Sequence, residues 1–177
     1  YLKAHWRAQY YAAFLNSIIG DSDKLSWYIS VCKNDNIKIL APDVNESGRD
    51  FTVLPNKTIR FGLAGIKSTG GAAVEAIISA RSEGGPFTSL TDFCCRVNMR
   101  VVNKRVVEHL IKSGAMDSFG ARRSQLLAVI DQAIDLGAAC QRDRANGQLG
   151  LFGDDQTFGM EEINMPLLPE IPKQTLL

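Results

Sequence analysis

The chain has 177 residues and a formal charge of +1, from 20 Lys plus Arg against 19 Asp plus Glu; 45% of residues are apolar, 8% aromatic and 22% charged. This is an ordinary soluble globular composition, long enough to bury one good-sized core or two small ones without disulfide staples. No run approaches the roughly eighteen apolar residues of a membrane span, and no basic, apolar leader opens the sequence, so neither a membrane location nor secretion is expected and the cytoplasm is.

The predicted elements are mostly helical. An aromatic, Ala-rich helix occupies the first residues and ends near Gly20. Ser22 then caps a helix whose apolar residues Leu25, Tyr28, Ile29 and Cys32 fall at i, i+3, i+4 and i+7. After Asn36 the period becomes two: Ile37 and Ile39, Phe51 and Val53, and Ile59 and Phe61 read as three short strands. Pro55-Asn56-Lys57 supplies the turn between the last two, and Ala41 to Asp50 reads as a polar, irregular loop.

Helices then return. Gly70-Gly71 opens a segment with Val74, Ile77, Ile78 and Arg81 on helical spacing, stopped by Gly84-Gly85-Pro86. Ser89 begins another, with Leu90, Phe93, Cys94 and Val97 as its stripe and Asp92 placed for capping. Asn103 caps a third, with Val106, Val107, Leu110 and Ile111 inward and Gly114 at its end. A longer helix is expected from about Arg122 to Arg144, burying Leu126, Leu127, Ile130, Ala133 and Ile134. Beyond Gly153 the periodicity fades, and Pro166, Pro169 and Pro172 mark an extended linker. The expected fold class is therefore mainly α, with a small β element of three short strands near residues 37–61 and an extended C-terminal linker.

Charge is unevenly spread. From Arg96 to Arg123 seven basic residues face two acidic ones, whereas from Asp154 onward five acids face Lys173 alone. A basic middle and an acidic tail point either to a polyanion partner or to an ordinary solvated helix face. The four cysteines (Cys32, Cys94, Cys95, Cys140) form no C-x-x-C pair, so reduced thiols are expected rather than a zinc site.

Two constellations bear on function. Around Lys67-Ser68-Thr69-Gly70-Gly71, and again around Asn98 to Lys104, a tight turn leads into a helix N-terminus. The outward N–H groups there, with the helix dipole, suit a phosphate oxygen, and Lys67, Arg100, Lys104 and Arg105 add charge without reading bases. The same pattern also fits plain helical hairpins that use Gly for tightness. The second constellation is Gln148-Leu149-Gly150-Leu151-Phe152, where Leu151 and Phe152 sit in polar, Gly-flanked sequence. Such a pair either anchors in a partner's pocket or folds back on its own domain.

The ordered blocks Tyr1-Leu2-Lys3-Ala4-His5, Pro42-Asp43-Val44-Asn45-Glu46-Ser47, Ile59-Arg60-Phe61-Gly62-Leu63, Gly84-Gly85-Pro86-Phe87, Asn103-Lys104-Arg105-Val106 and Ser113-Gly114-Ala115 resemble one family. It is that of the bacterial replicative DNA polymerase III alpha subunits, the C-family polymerases, and the similarity runs from the first residue to about Phe152. With Tyr1 rather than Met in first place, a piece of a longer protein is expected. The resemblance implies the end of the fingers region with the small β element in 1–61 and a tandem helix-hairpin-helix unit in 62–120. A long helix in 121–146, a clamp-binding motif in 147–153 and an acidic linker in 154–177 would follow.

In that family the hairpins contact duplex DNA through its backbone, which makes Lys67, Ser68, Thr69, Gly70, Gly71, Arg100, Lys104 and Arg105 the expected DNA-binding residues. Gln148, Leu149, Leu151 and Phe152 match the sliding-clamp motif, with Gly150 where Ser or Asp is usual. Ser68 stands where the first hairpin usually has Gly, which restricts backbone approach and leaves hydroxyls as donors. The expected partners are primer-template duplex, the sliding clamp and the other replicase subunits. The parent would catalyse nucleotidyl transfer with Mg2+ on palm aspartates expected upstream of Tyr1. No catalytic residue or cofactor is expected within this stretch, since Asp21 and Asp23 open a helix and Asp154 and Asp155 open an acidic tail. His5 and His109 read as structural or exposed. The alternative is a stand-alone DNA- and clamp-binding adaptor or scaffold without polymerase activity.

Overall fold

The structure is a computed structural model that describes residues 5–145, 166 and 168–170. Within these residues the chain is mainly helical with one small three-stranded sheet, as the sequence periodicity predicts. Helices α1 (Arg7–Ser17) and α2 (Ser22–Asn34) pack on strands β1 (Ile39–Leu40), β2 (Thr52–Val53) and β3 (Ile59–Arg60). Tyr11, Leu15, Leu25, Cys32, Phe51 and Ile59 make the core between them. The cap of α2 is Asp21 and not Ser22, a correction with a simple cause. The Asp21 carboxylate accepts the Lys24 N–H at 3.1 Å, as a serine hydroxyl could, and adds an ion pair with the Lys24 ammonium at 2.8 Å, which a serine hydroxyl could not.

The sheet has the order β1-β3-β2, with Ile39 opposite Ile59 in the parallel pair and Val53 opposite Ile59 in the antiparallel one. Strands of two residues are marginal alone, and α1 reinforces them. The Asn16 amide accepts from the Phe51 N–H at 2.7 Å and donates to the Phe51 carbonyl at 3.1 Å, acting as a missing strand partner. At the β2–β3 turn Lys57 takes a left-handed φ of 60° and the Asn56 side chain accepts from the Thr58 N–H and hydroxyl.

A second, larger core follows. It is built by a 3-10 turn (Leu63–Gly65), α3 (Gly71–Gly84), α4 (Leu90–Arg96), α5 (Lys104–Ser113), a second 3-10 turn (Asp117–Phe119), α6 (Arg123–Ala128) and α7 (Ile130–Ala145). Leu63, Ile77, Phe93, Val107, Leu110, Ile111 and Met116 are fully buried in it. The caps read from sequence form: Ser89 accepts from the Asp92 N–H, Asn103 from the Val106 N–H, and Gly114 closes α5 with a φ of 84°.

Two expectations need correcting here. The single helix from Arg122 to Arg144 is two helices, α6 and α7, joined at Val129 (φ −104°, ψ 6°). The joint falls at Val129-Ile130, and the Val129 N–H to Gln125 bond and the Ala133 N–H to Val129 bond carry the i to i−4 pattern across it. The Ala41–Asp50 loop, although irregular, is not a loose polar segment. Val44 is fully buried, its N–H bonds to the Ala115 carbonyl at 2.8 Å, and Arg81 donates to the Val44 and Ser47 carbonyls at 2.9 Å each. Asn45 accepts from the Phe87 N–H at 2.7 Å and donates to its carbonyl at 2.9 Å, so a long-range contact does what no local period announces.

Helices α4 and α7 meet backbone to backbone. A Cβ on Gly137 would lie 2.6 Å from the Cys94 carbonyl oxygen. One turn later the Gln141 amide donates to the Cys94 and Val97 carbonyls at 3.0 and 2.6 Å and covers the end of α4. Burial there pushes the Cys94 thiol up to about 12, so it stays neutral at physiological pH. Gly137→Ala is expected to destabilise the fold by about 1–3 kcal/mol through overpacking, despite alanine's better helix propensity. A urea midpoint that rises instead would show that the two helices part without penalty.

Past α7, the residues Gln148, Leu149, Leu151 and Phe152, and most of 154–177, lie outside the described residues. The chain is described again where it returns to α6. The Gln125 amide donates to the Pro166 carbonyl at 2.9 Å and Arg122 donates to the Leu168 carbonyl at 3.1 Å.

Candidate nucleic-acid interface

The first hairpin is held from below by the preceding loop. The Leu63 and Ala64 N–H groups donate to the Gly48 and Arg49 carbonyls at 2.9 and 3.0 Å. Gly62 makes this approach possible, since a Cβ there would lie 2.4 Å from the Asp50 carbonyl carbon. In the turn itself Ser68 adopts a φ of 65°, the left-handed region that favours glycine and costs a side-chain-bearing residue about 1–2 kcal/mol. Ser68 thus holds a backbone shape that glycine adopts more easily.

Gly70 precedes α3 with no side chain to cap it, and neither Gly70 nor Gly71 has a positive φ. A Cβ on Gly70 would meet nothing within 4 Å, and one on Gly71 would meet only Arg49 Nη2, at 3.7 Å. Backbone conformation and internal packing therefore do not call for glycine at either position. What the missing side chains provide is open access to the first-turn N–H groups of α3, at the positive end of its dipole. Lys67 and Ser68 are exposed beside this opening, while Thr69 is 6% exposed and its hydroxyl is buried without a partner.

The second hairpin, between α4 and α5, is closed by Asn98. Its carbonyl accepts from the Val101 and Val102 N–H groups and its side chain accepts from the Arg100 N–H at 3.0 Å. Arg100, Lys104 and Arg105 are exposed. Lys104 is nonetheless engaged, 2.6 Å from Asp131 on α7, and that hydrogen bond raises its pKa.

The His109 imidazole is held below its usual pKa, first by burial and then by the positive charges of Lys112, Arg105 and Lys67, against Glu108. Its Nε2 is buried with no partner.

The basic stretch from Arg96 to Arg123 is less outward than its sequence tally. Arg96 donates to the Ala80, Gly85 and Pro86 carbonyls and pairs with Asp92, and Arg123 forks onto Asp117 at 2.6 and 2.9 Å. Arg122 holds the Leu168 carbonyl. Arg100 and Arg105, by contrast, form no ion pair among the described residues, and Lys112 has only Glu108 at 3.9 Å.

Metal chemistry has no ready ligand set in this part of the chain. Among the described residues no three His, Cys, Asp or Glu side chains come together, and Asp21 is occupied by Lys24, whose hydrogen bond lowers its pKa.

A family model described as a helix-hairpin-helix motif matches residues 36–126, just over half of the chain. The chain belongs to that family. Its helix-hairpin-helix region lies within a broader similarity to DNA polymerase III alpha subunits. It is 42% identical over 175 residues to that of Neisseria meningitidis serogroup B, covering 98% of this chain and 15% of the relative. The Bacillus subtilis subunit is 45% identical over 155 residues, covering 88% and 14%, and the Thermus aquaticus one 42% identical over 154, covering 87% and 12%. The helix-hairpin-helix chain thus spans about 15% or less of the length of these curated relatives. Sequence reasoning found both turns of the unit. It did not single out Arg49, a loop residue that folding carries to the mouth of the first hairpin.

Proposed function

We propose that this chain is the part of a bacterial replicative polymerase alpha subunit that grips the emerging duplex and docks on the sliding clamp. The parent protein would be a DNA-directed DNA polymerase working in the cytoplasm with the other replicase subunits. The observation that carries the DNA reading is the opening over Gly70 and Gly71, flanked by the exposed Lys67, with Arg100 and Arg105 at the second hairpin exposed and without an ion pair among the described residues. A phosphate oxygen there would meet backbone N–H donors and the exposed Lys67 ammonium, contacts that carry no base identity. Binding is then independent of sequence and steeply salt-dependent.

Clamp docking is supported by the pattern Gln148, Leu149, Leu151 and Phe152 and by collinear similarity to polymerase alpha subunits. Two weak contacts on one duplex raise each other's effective concentration to roughly millimolar, and so turn a distributive enzyme into a processive one.

The test is a salt titration of duplex binding by fluorescence anisotropy, between about 50 and 200 mM salt. Lys67→Ala combined with Arg105→Ala is expected to flatten the slope of log K against log salt by about two. Lys104→Ala should do less than Arg105→Ala, because Asp131 already holds that ammonium. An unchanged slope in the double variant would sink the DNA reading.

A further inference from the structure

We propose that Arg49 is a further anchor for a backbone phosphate of duplex DNA, one that leaves Glu75 when the phosphate settles over Gly70 and Gly71. The proposal rests on the DNA reading above and names a contact outside both hairpins.

Three observations converge on it. First, the Arg49 backbone is fixed against the first hairpin, through its carbonyl on the Ala64 N–H and the close passage of Gly62. The side chain therefore starts from a set position rather than from a wandering loop. Second, its Nη2 lies 3.7 Å from where a Gly71 Cβ would be, at the entrance to the uncapped first turn of α3. Third, Thr69, two residues before the start of α3, is more than nine-tenths buried and its hydroxyl has no hydrogen-bond partner. An oxyanion above Gly70 and Gly71 would have α3 N–H groups on one side and a guanidinium on the other.

Within the folded chain Arg49 has a substitute anion. Its Nη1 sits 3.0 Å from Glu75 Oε1, with the two side chains 55% and 68% exposed. Ion pairs that open to water contribute little. A guanidinium meets phosphate with two parallel N–H bonds, a stronger and more directional contact. Exchanging Glu75 for phosphate is thus favourable, and Glu75, one turn into α3, screens the site until DNA arrives. The loop needs no help from this pair, because Val44, Asn45 and the Gly48 and Arg49 carbonyls already fasten it.

The experiment uses the full chain with a fluorescent duplex of arbitrary sequence, titrated at several salt concentrations. Arg49→Ala is expected to weaken binding about three- to tenfold and to reduce the salt slope by about one. Arg49→Lys should restore the slope but only part of the affinity, because a point charge replaces a fork. Glu75→Gln, which keeps Arg49 in place, should tighten binding about two- to threefold. Arg49→Ala with affinity and slope unchanged would overturn the proposal, and so would a Glu75→Gln variant that gains nothing. If Lys67→Ala with Arg105→Ala still flattens the slope, only the Arg49 contact has failed. If neither responds, the DNA reading itself has failed.

Discussion

Arg96→Met is expected to lower the stability of the fold by about 3–5 kcal/mol, because it removes one partner of a buried ion pair and several hydrogen bonds together. The Arg96 and Asp92 side chains are only 14% and 11% exposed and lie 3.0 Å apart. The same guanidinium donates to the Ala80 carbonyl at 2.8 Å and the Gly85 carbonyl at 2.6 Å, and stacks 4.5 Å over the Phe87 ring. It thereby ties the end of α3, the Gly85–Phe87 turn and α4 into one joint. Methionine keeps the apolar stem yet leaves Asp92 without its cation and removes the guanidinium's bonds to the Ala80, Gly85 and Pro86 carbonyls. Arg96→Lys should lose less, since the charge stays although the planar fork does not. Urea unfolding measures both. A midpoint for Arg96→Met that moves by less than the equivalent of about 1 kcal/mol would mean that water replaces the guanidinium at that joint.

The second large effect concerns Leu151→Ala combined with Phe152→Ala. Anchors seated in a partner's pocket are worth about 2 kcal/mol or more each, and about 1.4 kcal/mol is tenfold in affinity. The double variant is expected to lose at least about a hundredfold in binding to a bacterial sliding clamp by surface plasmon resonance, while duplex affinity stays as it was. Equal clamp affinity in variant and parent would defeat the docking proposal and leave the DNA reading untouched.

Much of the fold was legible because its signals are local. Asn103, Ser89 and Gly114 each act through a bond or a dihedral set within a few residues, so cap spacing finds them. The strands were found by alternation, although their two-residue length depends on Asn16, which pairs with Phe51 across 35 positions. The joint at Val129 carries no Gly or Pro and escaped notice for that reason. At the interface, turn chemistry marked Lys67 to Gly71, but charge counting overstated the basic stretch. Arg96, Arg122 and Arg123 end on carbonyls or carboxylates that a linear tally cannot see. Arg49 was invisible for the opposite reason: its place beside Gly71 arises only when the loop folds under the 3-10 turn.

The contacts at the start of α6 reach well beyond that helix. Gln125 donates to the Pro166 carbonyl and Arg122 to the Leu168 carbonyl, partners 41 and 46 positions away in the chain. A substitution at either side chain therefore acts on backbone that no neighbouring stretch of sequence would connect with it.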